Sequence, residues 1–185
     1  MVDIYPKVEV LGAGVKGYCK MILQWLNLTG RVIVPYVTGA TGANASTFTV
    51  PANGTATGKF RFVTLSNIKG KIIPIPPYAK FTVHYHVGPS PKCYLEYIKV
   101  YLQKYEEGTW VNITGIELDV SIGLGCDKWA FAVALPSLTD EYEINNQLGL
   151  YVELTVRDVA GGYYKFYLDH TVGTDESYFM LPLQI

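Results

Sequence analysis

Apolar and polar residues alternate with a period of two along three stretches of this chain, and that period leaves little choice of secondary structure. Ile116, Leu118, Val120 and Ile122 alternate with Glu117, Asp119 and Ser121. Leu150, Val152, Leu154 and Val156 alternate with Tyr151, Glu153, Thr155 and Arg157, and Tyr164, Phe166 and Leu168 alternate with Tyr163, Lys165, Tyr167 and Asp169. Successive side chains of a strand point to opposite faces, so each stretch reads as a strand with one buried and one wet face. Apolar runs beginning at Arg31, Lys59, Lys71, Lys80, Cys93, Lys128 and Tyr178 bring the expectation to about ten strands, at the spacing of a sandwich or barrel.

Turn residues punctuate these runs: Pro76-Pro77, Gly88-Pro89, Glu107-Gly108, Gly123 to Gly125 and Gly161-Gly162. The last pair separates two alternating runs and predicts a β-hairpin over residues 148–169. Only two segments carry helical signals, residues 18–26 and residues 137–147, where Ser137 and Asp140 have capping spacing. Residues 38–58 are uncharged and rich in Thr, Gly, Ala and Asn, the composition of a long polar surface loop. At 185 residues the chain is long enough for one domain with a substantial core, so residues 1–185 are expected to form a single β-sandwich, with residues 1–7 as a short N-terminal arm.

The charges are divided unevenly along the chain. No acid lies between Glu9 and Glu96, a window holding Lys16, Lys20, Arg31, Lys59, Arg61, Lys69, Lys71, Lys80 and Lys92. Residues 96–185 carry fourteen acids against Lys99, Lys104, Lys128, Arg157 and Lys165, so +9 faces −9 within a net charge of −1. Two readings stand open: copies that meet positive face to negative face, or cross-strand pairs formed inside the monomer. On the first, reversing Lys69 and Lys71 to Glu slows assembly. Charged residues are only 17% of the chain while Tyr occurs 15 times, a surface suited to contact with neighbours. The first ten residues lack the apolar core of an export signal, and no run reaches the length of a membrane helix. Cys19, Cys93 and Cys126 are too few and scattered for a disulfide framework or zinc knuckle and read as buried thiols.

No constellation of reactive residues emerges. Gly12, Gly14 and Gly17 have GxGxxG spacing, yet the acid that would hold a ribose about 20 residues on is missing, which favours a glycine-rich turn over a dinucleotide site. His84 and His86 share one face of an expected strand, an arrangement resembling the metal pair of cupins, but the glutamate of that motif is absent and His170 lacks its second motif. The context of Ser90 is no nucleophile elbow, and the adjacent acids Glu106-Glu107 and Asp140-Glu141 read as solvated turns. Tyr97, Tyr101 and Tyr105 fall on one strand face, and Tyr151, Tyr163 and Tyr167 form a second row; such rows serve packing, subunit contacts or stacking on sugars. Accordingly the expectation is a protein that is not an enzyme, with no catalytic, cofactor-binding or metal-binding residues and no cofactor.

Strand number, scarce helix, low charge and abundant tyrosine together resemble the single jelly-roll capsid proteins of icosahedral viruses, with residue usage similar to those of thermophilic archaea. The resemblance implies an all-β antiparallel sandwich of the jelly-roll type, with about 8 to 10 strands in two sheets. It implies a self-assembling capsid subunit, made in the host cytoplasm and located in the virion, whose partners are copies of itself and other capsid proteins. Genome contact would run through a folded basic surface, with no small-molecule substrate and no transmembrane segment. Alternatives are an extracellular archaeal filament or matrix subunit, and a carbohydrate-binding β-sandwich module.

Overall fold

A computed structural model describes residues 16–26, 30–35, 46–86, 93–124, 128–159, 161, 164–168 and 177–184. The residues described contain thirteen strands and no helix: β1 (Lys16–Leu26), β2 (Gly30–Pro35), β3 (Ser46–Val50), β4 (Thr55–Thr64), β5 (Ile68–Ile72), β6 (Tyr78–His86), β7 (Cys93–Glu106), β8 (Thr109–Leu124), β9 (Lys128–Ala134), β10 (Tyr142–Asn146), β11 (Leu148–Asp158), β12 (Tyr164–Leu168) and β13 (Tyr178–Gln184). The all-β class is as expected, and the strand count exceeds the expected ten by β1, β3 and β10, which form where helix or polar loop was expected.

The pairings resolve into two antiparallel layers. One runs β1-β13-β6-β9 and the other β4-β11-β7-β8. Two sheets of four strands, each mixing distant parts of the sequence, are the jelly-roll arrangement. On one flank β2 pairs antiparallel with β1 and parallel with β4, stitching the two layers together. Across the sandwich, β12 continues the line of β13 alongside β6 and carries β3 on its other side. Phe48 of β3 packs against the ring of Phe60 of β4, with centroids 6.1 Å apart. β5 and β10 pair with each other and join β13 through Leu183 and Gln184.

The period-two pattern decides which face is buried. In β11, Leu150, Val152, Leu154 and Val156 are 0 to 2% exposed and alternate with half-buried Tyr151, Glu153, Thr155 and Arg157. Phe60, Phe62, Leu95, Ile98, Val100 and Leu102 join them from one layer, and Met21, Leu23, Phe81, Phe179 and Leu181 from the other, in one hydrophobic cluster. Each side chain of this kind contributes about 1.5–3 kcal/mol on burial.

Three local expectations are corrected. Residues 18–26 are strand β1, because Cys19, Met21 and Leu23 are buried while Tyr18 is exposed, a period of two that a helix cannot satisfy. Residues 137–147 contain strand β10, drawn into register with β5 rather than coiling on their own. The runs flanking Gly161 do not form a hairpin: β11 pairs with β4 and β7, and β12 with β3 and β6, so the chain crosses between layers there. Of the polar stretch 38–58, residues 46–50 form β3 and residues 55–58 begin β4, joined by a turn in which Asn53 has φ 49°. Residues 36–45 and the arm at residues 1–7 lie outside the described residues. The turn at Glu107-Gly108 has φ values of 50° and 82°, the two left-handed positions of a tight hairpin joining β7 to β8.

Candidate functional site

The outer face of β4-β11-β7-β8 brings Tyr97 and Tyr101 of one tyrosine row together with Tyr151 of the other. Register sets them in rows across four strands. Lys59, Glu153, Lys99 and Glu117 form one row of alternating charge. Lys59 Nζ lies 3.6 Å from Glu153 Oε2, and Lys99 Nζ lies 2.8 Å from Glu117 Oε1. Arg61, Tyr151, Tyr101 and Gly115 form the next row, and Thr57, Thr155, Tyr97 and Asp119 lie on the other side of the charged one.

Glu117 is the hub. Tyr97 donates its hydroxyl to Glu117 Oε2 at 2.5 Å, and Tyr101 donates to Glu117 Oε1. Lys99 foremost, then the two phenols, hold the Glu117 carboxyl down at about 2. The same contacts raise the partners: the hydrogen bond to Glu117 pushes the Tyr97 phenol up to about 12 and raises Tyr101 and Lys99. A carboxylate so stabilised is a weak proton acceptor near neutrality, so the cluster fixes side chains in place and is badly tuned for acid–base chemistry.

Beside it lies an aromatic step. The Arg61 guanidinium sits 5.3 Å from the Trp110 ring and 5.6 Å from the Tyr151 ring, and its Nε donates to Gln103 Oε1 at 3.0 Å. Gln103 Nε2 in turn donates to Asn112 Oδ1 at 2.8 Å. Two glycines make room for the rings. A Cβ on Gly115 would lie 1.8 Å from Tyr101 Cδ1, and one on Gly149 would lie 2.7 Å from Trp110 Cζ3.

A β-bulge creates the hub. From Glu106 opposite Thr109 to Gln103 opposite Asn112 the hairpin register is regular; it then shifts by one residue between Leu102 and Gln103. Without that shift Lys99 would oppose Ile116. With it, Lys99 opposes Glu117 on the wet face. Sequence reasoning found the tyrosine row of β7 and missed Glu117 and Lys99, because nothing in the local pattern marks Ile113 as the extra residue.

The charge asymmetry is spent at least in part inside the chain. Lys59 pairs with Glu153, and Lys71 Nζ lies 3.4 Å from both Glu141 Oε2 and Glu143 Oε1. Arg157 pairs with Glu96 within the acidic half. Lys71 is therefore not a free cation awaiting a neighbouring copy, contrary to the reading in which its reversal slows assembly.

The remaining candidates are not brought together. His84 and His86 lie on β6, but their side chains fall outside the described residues, as do His170, Ser90, Cys126, Gly12 and Gly14. Gly17 belongs to β1, so a strand follows where a dinucleotide motif needs a helix. Cys19 and Cys93 are buried free thiols. Burial pushes the Cys93 thiol up to about 12 with help from Asp158, and burial raises Cys19. Among the described residues no group of three or more His, Cys, Asp or Glu could hold a metal ion, and no helix is long and apolar enough to cross a membrane.

No family model and no curated protein matches the chain. Solved structures do. An α-amino acid ester hydrolase aligns over 90% of this chain with a TM-score of 0.58 and 12% identity, and an aminopeptidase from a marine sediment Thaumarchaeota archaeon over 89% with a TM-score of 0.58 and 7% identity. The chain spans 36% of the length of each. A T13 IBDV viral particle aligns over 99% of the chain and 59% of its own at 10% identity, with a TM-score of 0.36, too low to carry an argument. The expectation that the chain is not an enzyme is thereby corrected: the better-matching structures are both named as enzymes, so this fold does not set the chain apart from enzymes. At such identity the likeness is one of fold, and the fold it supports is the β-sandwich described above.

Proposed function

We propose that the protein is a self-associating structural subunit of the kind that builds an icosahedral virus shell, with copies of itself as its main partner and the virion as its location. The observation that carries this reading is the unequal treatment of the two flanks. β2 closes one flank. On the other, β8 pairs only with β7 and β9 only with β6 among the described residues. β8 is 16 residues long. An open ladder of that length is a template for another chain. Exposed Tyr105 and Val111, at the hairpin end of this flank, add apolar contact area. Genome contact through a folded basic surface is narrowed by the pairing of Lys59 and Lys71 within the chain. Size-exclusion chromatography with light scattering tests the reading: the expected result is a mass that grows with concentration toward discrete assemblies visible by electron microscopy. A mass of 20.6 kDa at every concentration would overturn it.

A second reading rests on the structural likeness to the two hydrolases. With 36% of their length covered, the chain corresponds in extent to one part of a larger protein of that kind. Turnover of an amino-acid ester or an aminoacyl anilide, by the purified chain or a complex containing it, would replace the shell reading with this one.

A further inference from the structure

One cation on the outer face of β4-β11-β7-β8 is held in place without being neutralised. Lys59 is matched by Glu153 and Lys99 by Glu117. Arg61 is exposed, its Nε is taken by Gln103, and the Trp110 and Tyr151 rings flank its guanidinium. Its two terminal Nη nitrogens have no hydrogen-bond or ion-pair partner among the described residues.

A merely solvated arginine needs none of this support. Gln103 is only 7% exposed although polar, and its amide is used at both ends, accepting from Arg61 Nε and donating to Asn112 Oδ1. Trp110 reaches from β8 across β7 to Gly149 of β11, where a Cβ would lie 2.7 Å from the ring. With Nε occupied, the Nη pair remains as a fork of N–H donors whose geometry matches the two oxygens of a carboxylate. A fork oriented in advance loses less freedom when that group arrives.

The surroundings say what carries the carboxylate. Asp119 and Glu107, at opposite ends of this face, lie about 20 Å from Arg61 by strand spacing and register, about two Debye lengths. The fork therefore presents one unmatched positive charge, which suits a monoanion better than a phosphate dianion. Beside it stand two rings at an angle: Tyr105, 41% exposed, has its centroid 5.2 Å from that of Trp110, with the planes 54° apart. Such ring faces accept the C–H side of a sugar ring. Asn112 is exposed, and its Nδ2 has no partner among the described residues, leaving a donor for a hydroxyl that a plain aromatic acid would not use.

We propose that Arg61, Trp110, Tyr105 and Asn112 form a binding site for an acidic sugar, a uronic acid residue whose carboxylate pairs with the two Nη nitrogens of Arg61 and whose ring lies against Trp110. The site is independent of the shell reading and stands or falls without it. Isothermal titration calorimetry of the full chain with digalacturonate and trigalacturonate tests it, with maltotriose as the uncharged probe and benzoate as the carboxylate without a sugar. The uronates should bind at least about tenfold more tightly than either control. Arg61→Lys keeps the charge and loses the fork, and it should weaken uronate binding at least about tenfold while leaving the circular dichroism unchanged. Trp110→Ala should weaken it as well. No heat with uronate up to about 10 mM, or an Arg61→Lys protein that binds as the parent does, overturns the proposal. Maltotriose binding as tightly as uronate removes the carboxylate from it, and benzoate binding as tightly removes the sugar; either result overturns it. An Arg61→Lys protein that self-associates more weakly while uronate binds to neither form would show the fork to be filled by a carboxylate of a second copy instead.

Discussion

Replacing Gly58 by Ala tests how the two layers are closed over one another. Gly58 lies in β4 on the buried face, under the ring of Phe48 from β3. A Cβ at this position would lie 2.4, 2.8 and 2.9 Å from three atoms of that ring. Carbon atoms in contact prefer about 3.5–4.0 Å, so the ring must retreat by more than an ångström, taking β3 with it or leaving its contact with Phe60. Overpacking of this size costs about 1–3 kcal/mol. Removing a glycine from the unfolded chain returns about 0.4–1 kcal/mol. The net expectation is a loss of about 1–2 kcal/mol, which for a chain of this length lowers Tm by about 2–8 °C. Urea unfolding followed by circular dichroism measures it. A Phe48→Leu partner supplies the control: the smaller side chain vacates the space, so the double variant should be more stable than the sum of the single effects by about 1 kcal/mol. Additive effects, or a Gly58→Ala protein as stable as the parent, would show that Phe48 does not rest on Gly58 and that β3 is not pinned over β4.

Further outcomes follow from the titrating groups and the charge pairs. Glu117, held at about 2 against a usual 4.5, stabilises the folded state above about pH 4.5, and that contribution is lost as pH falls from 4.5 toward 2. Carboxyl NMR should give its midpoint near 2, and Lys99→Met should move it toward 4.5; a parent midpoint near 4.5 would refute the hub. The Tyr97 phenol, raised from 10 to about 12, stabilises below pH 10 and loses that effect as pH rises from 10 to 12. Tyrosinate absorbance should therefore show late-titrating phenols, with one fewer in Tyr97→Phe. Cys19 and Cys93 should resist alkylation at neutral pH until the protein unfolds, and labelling as fast as in denaturant would place them outside the core. Reversing Lys71 to Glu should lower monomer stability by setting three acids together while leaving the rate of association unchanged, since its partners Glu141 and Glu143 belong to its own chain; a slowed association would return the pair to the interface.

What was legible in the sequence was whatever depends on neighbours along the chain. The alternation at residues 116–122 and 150–156 marks strands because the same residues that face the core recur every second position, and β8 and β11 bury or half-bury just those sets. The Glu107-Gly108 turn was visible for the same reason. Pairing was not visible. Gly161-Gly162 is good hairpin chemistry, yet the strands on either side have separate partners in opposite layers. The charged row from Lys59 to Glu117 depends on registers between strands far apart in sequence, and on a bulge near Leu102 that shifts one of them by a residue. Extrapolating from the turn alone would have left Glu117 facing the wrong neighbour.

The pairing of β1 with β13 sets a clock on synthesis. β1 ends at Leu26 and β13 begins at Tyr178, so about 150 residues must be added before β1 meets this partner. At roughly 5–20 residues per second that wait is roughly 8 to 30 seconds, long compared with the folding of the β7–β8 hairpin, which needs only microseconds once its residues have emerged. Throughout it, Cys19, Met21 and Leu23 lack the Phe179 and Leu181 they are buried with, and only β2 shields one side of their strand. A nascent chain stalled short of Tyr178 is thus an unfinished sandwich with a sticky edge, and the arrival of β13 closes that edge.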